Sequence, residues 1–263
     1  MPTSLRPFTR GSACVVLVTG ALLVAPPASA QISSIDIPFM AFYDTQGVYA
    51  ATAGIGAASG PDGQRASAAD VLRAIEPRRM ASTAEAPAAP DATLRFRSVS
   101  AVTVEVRNAV IEGLARHAPS RRAQLEDELS RADVVGQFRA MIARYGYQPL
   151  DLAHNLAAFL ILQWETATGG RADTAQMRGT ADQLQRALRA NHLVRRMTDA
   201  DKQATADALA YQAVLAVEIA RRLRAEGRSA ELDKLRAGVR ATTRELGWDL
   251  DRLALTSRGF VPR

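Results

Sequence analysis

The residues whose types and spacing could do chemistry lie in one segment, "GYQPLDLAHNLAAFLILQWETATGG", Gly146–Gly170. Drawn as a helix with Asp151 at zero, His154 falls at about 300°, Asn155 at about 40°, Glu165 at about 320° and Thr166 at about 60°. These polar groups share an arc of about 120°. One reading places Asp151, His154, Asn155 and Trp164 around a binding cleft, with His154 as base or ligand. Glycan hydrolysis is the enzymatic version. It needs two carboxylates across a cleft, and Glu165 and Asp151 are the candidate acids, although no sequence feature selects a partner for either. The structural alternative is a solvated strip, or Asp151 and Asn155 bonded to the backbone ends of neighbouring helices. A carboxylate in the first turn also suits the positive end of the helix dipole.

Other chemistry finds little support. Asp151 and His154 could share a metal ion at i, i+3, but a site needs about two more donors. Only His117 and His192 remain, and both read as helix-end residues. No metal and no cofactor are therefore expected. There is no G-x-S-x-G and no phosphate-binding glycine loop. "GIGAASG" precedes no strand–helix–strand pattern, and Glu126-Asp127-Glu128 reads as a solvated face.

The elements that must position these groups are helical. The remaining arc of the segment holds Leu152, Ala153, Leu156, Ala157, Phe159, Leu160, Ile161 and Trp164, so it asks for burial on several sides. Its uninterrupted apolar run, Leu156–Leu162, is far shorter than the roughly 20 residues of a membrane span. It reads as the central helix of a bundle, with Pro149 before it and Gly169 after it.

Val99, Val102, Val106, Val110 and Leu114 form one helical stripe, although Val102, Val104 and Val106 also alternate like a strand. Ser120 is the expected N-cap of "SRRAQLEDELSR". Val134, Phe138, Met141, Ile142 and Tyr145 form a second stripe, ending at Gly146. Met177, Leu184 and Leu188 mark a weaker helix. Thr198 with Asp201 resembles a capping box, opening a long helix with the stripe Ala204, Ala208, Tyr211, Leu215, Ile219 and a stop at Gly227. A further helix runs from Ser229 to Gly247, and Leu250, Leu253, Leu255 and Phe260 then dock the remaining chain. The expected fold class is all-α: a single bundle of about six or seven helices over residues 92–263. Its expected core includes Phe138, Leu156, Phe159, Ile161, Trp164, Tyr211, Leu215 and Phe260.

Residues 1–30 read as a signal peptide. Arg6 and Arg10 precede the apolar run Ala13–Val24, and Ala28-Ser29-Ala30 offers a small-x-small cleavage site. The protein is therefore expected in the periplasm or outside the cell, with no membrane span after cleavage. Cys14 is the only cysteine, so the fold must rest on burial without disulfides. Residues 31–91 read as a flexible Ala/Gly/Pro-rich segment carrying one short helix between Ser67 and Pro77. The formal charge is +6, from 33 basic and 27 acidic side chains, and only Lys202 and Lys234 are lysines. Acids are interspersed along most of the chain, which speaks against nucleic acid.

Four pieces in order, "YGYQPLDLAHNLAAFLILQWETATG", "DKQATADALAYQAVLAVEIA", a helix ending in "LG", and "LDRLALTSRGF", carry a resemblance. The chain resembles an uncharacterised family of exported bacterial all-helical proteins with no known activity. The matching positions are Gly146, Asp151, Asn155, Phe159, Trp164, Tyr211, Gln212, Leu255, Thr256, Gly259 and Phe260. Phe159 stands where the family pattern has Tyr, and His154 where it has an apolar or small residue. The resemblance implies export and one helical domain. With the lack of a catalytic constellation, the expectation is a non-enzymatic module of the cell envelope that binds a protein or an envelope component. A glycan hydrolase is the alternative, and the oligomeric state is open.

Overall fold

Side-chain caps and glycine stops cut the chain into helices. In the computed structural model, which describes residues 67–75, 77 and 93–263, helix α1 is Ala68–Ala74. Ser67 opens it with a reciprocal capping box: its hydroxyl accepts from the Asp70 amide at 3.1 Å, and Asp70 accepts from the Ser67 amide at 3.0 Å. The expected signal and most of the 31–91 segment lie outside the described residues.

Helix α2 is Ser100–His117, so the Val102–Val106 alternation belongs to a helix. The stripe turns inward at Val106, Val110 and Leu114, whereas Val99 is exposed. Ser120 is not a cap. Pro119–Arg121 forms a 3-10 turn, and α3, Arg122–Arg131, begins from Arg121 with no side-chain cap. Pro119 fixes φ and takes the first turn of the helical stretch, where its missing N–H costs nothing. Helix α4 is Val134–Arg144, capped by Asp133. Helix α5 is Leu152–Thr168, ended by Gly169 at φ 75°, a left-handed conformation that glycine adopts without strain.

Helix α6 is Thr174–Ala190, α7 is the single turn His192–Arg195, α8 is Asp199–Ala225 and α9 is Ser229–Glu245. Among the described residues the fold is thus nine helices and one hairpin, β1 (Leu253–Thr256) with β2 (Gly259–Pro262), paired antiparallel with Leu255 opposite Phe260. All of them fall in one compact unit, Ile32–Arg263.

The core is built around two helices rather than one. α8 packs on α5 more than on any other element, and also on α2, α9, α4 and α1. Its residues are buried without a break from Lys202 to Ala216. A helix covered on every side needs small residues so that neighbours can come close, and Ala204, Ala206, Ala208, Ala210, Ala213 and Ala216 supply them. Leu156, Phe159 and Ile161 of α5 are buried against this centre, as are Phe138, Tyr211, Leu215 and Phe260. Trp164 is only partly covered. The fully enclosed indole is Trp248, which meets Phe260 edge-on at 5.7 Å.

Trp248 also ties the ends of the described chain together. Its Nε1–H donates to the Leu72 carbonyl of α1 at 3.2 Å, across 176 residues. Val71, Leu72 and Ile75 are buried, so this part of the 31–91 segment is core. The hairpin docks on α6 because Gly179 has no side chain: a Cβ there would overlap the Ser257 backbone carbonyl. Gln183 of α6 then pairs both ways with Phe260, accepting from its amide at 2.9 Å and donating to its carbonyl at 2.7 Å.

Candidate functional site

The first turn of α5 gathers three of the residues singled out for chemistry. Asp151 is the N-cap. One carboxylate oxygen accepts from the amides of Ala153 at 2.9 Å and His154 at 3.2 Å, answering two of the four donors that a helix start leaves unpaired. Asn155 lies one turn on and is 1% exposed. Its amide donates to the carbonyls of Pro149 at 2.9 Å and Asp151 at 2.8 Å, fastening the preceding loop to the helix. The partners of Asp151 and Asn155 therefore belong to their own helix and loop, not to neighbouring helices, and neither side chain is solvated. Residues 94–96 run beside this loop, with Leu152 donating to Leu94 at 2.9 Å and Phe96 to Leu150 at 3.1 Å.

His154 is held on both sides. Nδ1 accepts from the Gln148 amide at 2.8 Å, so the neutral ring carries its proton on Nε2, which lies 3.1 Å from the side-chain amide group of Gln185 in α6 and donates to that group when the carboxamide is turned to present its oxygen. The ring stacks on Tyr147 at 5.2 Å and 7°, and the Tyr147 hydroxyl donates to the Met177 carbonyl at 2.7 Å. Burial holds His154 below the ordinary imidazole value, Arg95 adds to this, and Asp151 and Asp182 oppose it. Burial pushes the Tyr147 phenol well above its ordinary value, with Asp182 contributing. A neutral imidazole with both nitrogens engaged works as a pin between α5, its leading loop and α6.

Glu165 and Trp164 lie at the other end of α5. Glu165 accepts from the Ala172 amide at 2.8 Å and faces Arg171 at 3.2 Å. Trp164 packs on Gly170, where a Cβ would come within 2.7 Å of the ring, and its Nε1–H finds no acceptor among the described residues. Fourteen residues separate Asp151 from Glu165, about 21 Å along the axis at 1.5 Å per residue. Paired carboxylates of a glycosidase stand about 5–9.5 Å apart. The structure therefore does not bring the two candidate acids together.

A second polar cluster, unread in the sequence, joins α8 to α2 and α4. Asp207 is fully buried. Its carboxylate accepts from Thr103 Oγ1 at 2.8 Å, Arg139 Nη2 at 2.8 Å and Gln203 Nε2 at 3.3 Å. Arg139 also donates to Ser98 at 2.9 Å. Gln203 clamps Val99 at the start of α2, accepting from its amide at 2.8 Å and donating to its carbonyl at 2.9 Å. Desolvation pushes Asp207 above the ordinary carboxylate value against the opposing pull of Arg139, Thr103 and Gln203. One turn further, burial raises the Tyr211 phenol, while Arg107 opposes and Asp207 assists. The available signal was an acid and two amides at helical spacing, Gln203, Asp207 and Gln212, inside an alanine-rich run. No group of three or more His, Cys, Asp or Glu side chains among the described residues is arranged to hold a metal ion.

Residues 11–263 match the model of a family described as "Family of unknown function (DUF6683)", and the chain belongs to that family. No curated protein and no solved structure matches it.

Proposed function

We propose that this family member is an exported, non-enzymatic binding or interaction module of the bacterial cell envelope. The observation that carries the reading is how the candidate groups are used. Asp151 caps α5, Asn155 fastens its loop, His154 is engaged at both nitrogens, and Glu165 receives a backbone amide and a guanidinium. General acid–base work requires a group within reach of a substrate proton, and these polar atoms already serve the fold. Export rests on the arginines, apolar run and Ala28-Ser29-Ala30 of the first 30 residues. No helix among the described residues is long and apolar enough to cross a membrane.

Two assays test the reading. Purified protein added to a peptidoglycan suspension should leave its turbidity unchanged. Clearing that disappears in Glu165→Gln, with the circular dichroism spectrum intact, would establish the hydrolase instead. Mass spectrometry of protein recovered from the envelope fraction should find Gln31 at the N-terminus, and retention of residues 1–30 in the cytoplasm would refute export.

A further inference from the structure

Helices α2 and α8 lie side by side in a fixed register. The Val99 amide donates to Gln203 at 2.8 Å and the Thr103 hydroxyl to Asp207 at 2.8 Å, each pair 104 residues apart. Residues four apart share a helix face, so the next turn brings Arg107 of α2 opposite Tyr211 of α8. The first two rungs of this ladder are hydrogen-bonded and the third is not. Tyr211 is 2% exposed, yet its hydroxyl makes no hydrogen bond among the described residues. Arg107 is half-buried, and its guanidinium makes no ion pair or hydrogen bond among them either; its Nε–H is shielded from water as well.

Buried polar groups are nearly always hydrogen-bonded, so two unspent donors on facing turns point to an acceptor from outside the chain. The surroundings say which kind. Asp207 bonds to α2 through Thr103 and to α4 through Arg139. α2 and α4 each pack on α8 and have little contact with one another. The rung therefore lies along the seam between them. Burial raises the Tyr211 phenol above its ordinary value; Arg107 is close enough to oppose this, and Asp207 and Asp133 add to the rise. The cations Arg107 and Arg139 are balanced by the carboxylates Asp207 and Asp133, so the seam favours one added negative charge over two. A guanidinium matches two oxygens in one plane, and a phenol supplies one further donor. A carboxylate meets all of these conditions.

We propose that Arg107 and Tyr211 bind the carboxylate of a small organic acid at the seam between α2 and α4. The guanidinium pairs with the two oxygens, and the phenol donates to one of them. The proposal gives the binding-module reading a ligand class and rests on that reading.

The test is a nuclear magnetic resonance titration of nitrogen-labelled purified protein, its N-terminus established by mass spectrometry. N-acetylalanine represents a peptide C-terminus and glucuronate an acidic sugar. N-acetylalaninamide is the neutral comparison, and inorganic phosphate at mildly alkaline pH the dianionic one. A carboxylate is expected to shift the Arg107 Nε–H and the Tyr211 amide to saturation while the neutral amide leaves them in place, and the tighter of the two acids identifies the source.

Tyr211→Phe removes a hydroxyl that holds nothing in the fold, so its melting temperature should match the parent's, while affinity for the carboxylate falls about tenfold or more. Arg107→Gln should weaken binding about a hundredfold. Arg116→Gln, exposed on the same helix, should leave it unchanged. No binding by either acid, equal binding of the neutral amide, tighter binding of phosphate, or a Tyr211→Phe variant that binds as the parent does overturns the proposal. So does a clear drop in the melting temperature of Tyr211→Phe, because the hydroxyl then serves the fold. Each of these results leaves the turbidity and N-terminus assays standing, whereas peptidoglycan clearing or an unprocessed chain defeats the envelope-module reading itself.

Discussion

Replacing Asp207 with Asn tests whether a buried carboxylate is kept for its contacts at the expense of its solvation. The carboxylate accepts two neutral hydrogen bonds, from Thr103 and Gln203, and one from the Arg139 guanidinium. Neutral bonds contribute about 0.5–1.5 kcal/mol each and a bond to a charged donor about 1.5–3. Complete removal in Asp207→Ala should therefore destabilise by about 3–5 kcal/mol. Asn keeps one oxygen acceptor and sheds the charge, and Arg139, 20% exposed, retains Ser98 and some water. The expected loss in Asp207→Asn is about 1–2 kcal/mol.

The pH dependence is diagnostic. Because burial raises Asp207 in the folded state from its ordinary 3.8, the folded protein holds this proton more tightly than the unfolded chain. Stability from this group is full below about pH 4 and falls as pH rises through the raised value. The Asn variant lacks that fall, so its deficit should narrow from pH 4 upward. Urea unfolding followed by circular dichroism at steps between pH 4 and 7.5 measures this, compared at constant slope so that only stability changes. A deficit that widens with pH would show Arg139 outweighing desolvation and would refute the reasoning.

Further outcomes are expected elsewhere. Trp248→Phe removes the donor to Leu72 and should cost about 1–3 kcal/mol, lowering the melting temperature and quickening proteolysis near α1 without changing helix content. Gly179→Ala drives a methyl into the Ser257 carbonyl; a melting temperature unchanged or raised, as helix propensity alone would give, would contradict the close docking of the hairpin. His154 has a lowered value in the fold, so stability from it is present above about pH 6.5 and lost below as the unfolded chain takes the proton first; His154→Asn should flatten that slope, readable in melting curves between pH 5 and 8. Phe159→Ala, at 0% exposure, should lose about 3–5 kcal/mol in urea unfolding.

Most helix boundaries were legible because their chemistry is local. The Thr198–Asp201 capping box forms, with the Asp201 amide donating to the Thr198 hydroxyl at 3.2 Å, and Gly146, Gly169, Gly227 and Gly247 all have positive φ near helix ends. The hairpin was not legible. Its strands are four residues each, and Leu253 and Leu255 read equally well as docking groups on irregular chain. The centrality of α8 was hidden for a different reason. Alanine gives little hydropathy contrast, and Gln203, Asp207 and Gln212 make a helix enclosed from Lys202 to Ala216 look half-wet.

The candidate site divides the same way. The arc containing Asp151, His154 and Asn155 could be computed from spacing, but the destinations of their hydrogen bonds depend on the 148–151 loop and on α6. Nothing local to Asp207 announces that Thr103 and Arg139, 104 and 68 residues away, will close around it. Trp248 directly follows the helix stop at Gly247, but nothing local to it announces a partner in α1, 176 residues away.

The clasp between Trp248 and Leu72 bears on how a polypeptide made from one end to the other acquires this shape. The α1 turn waits for a ring synthesised 176 positions later, and α6 waits equally for the hairpin that covers it. Until those residues leave the ribosome, two greasy seams stay open, and a partly made molecule has every reason to remain loose.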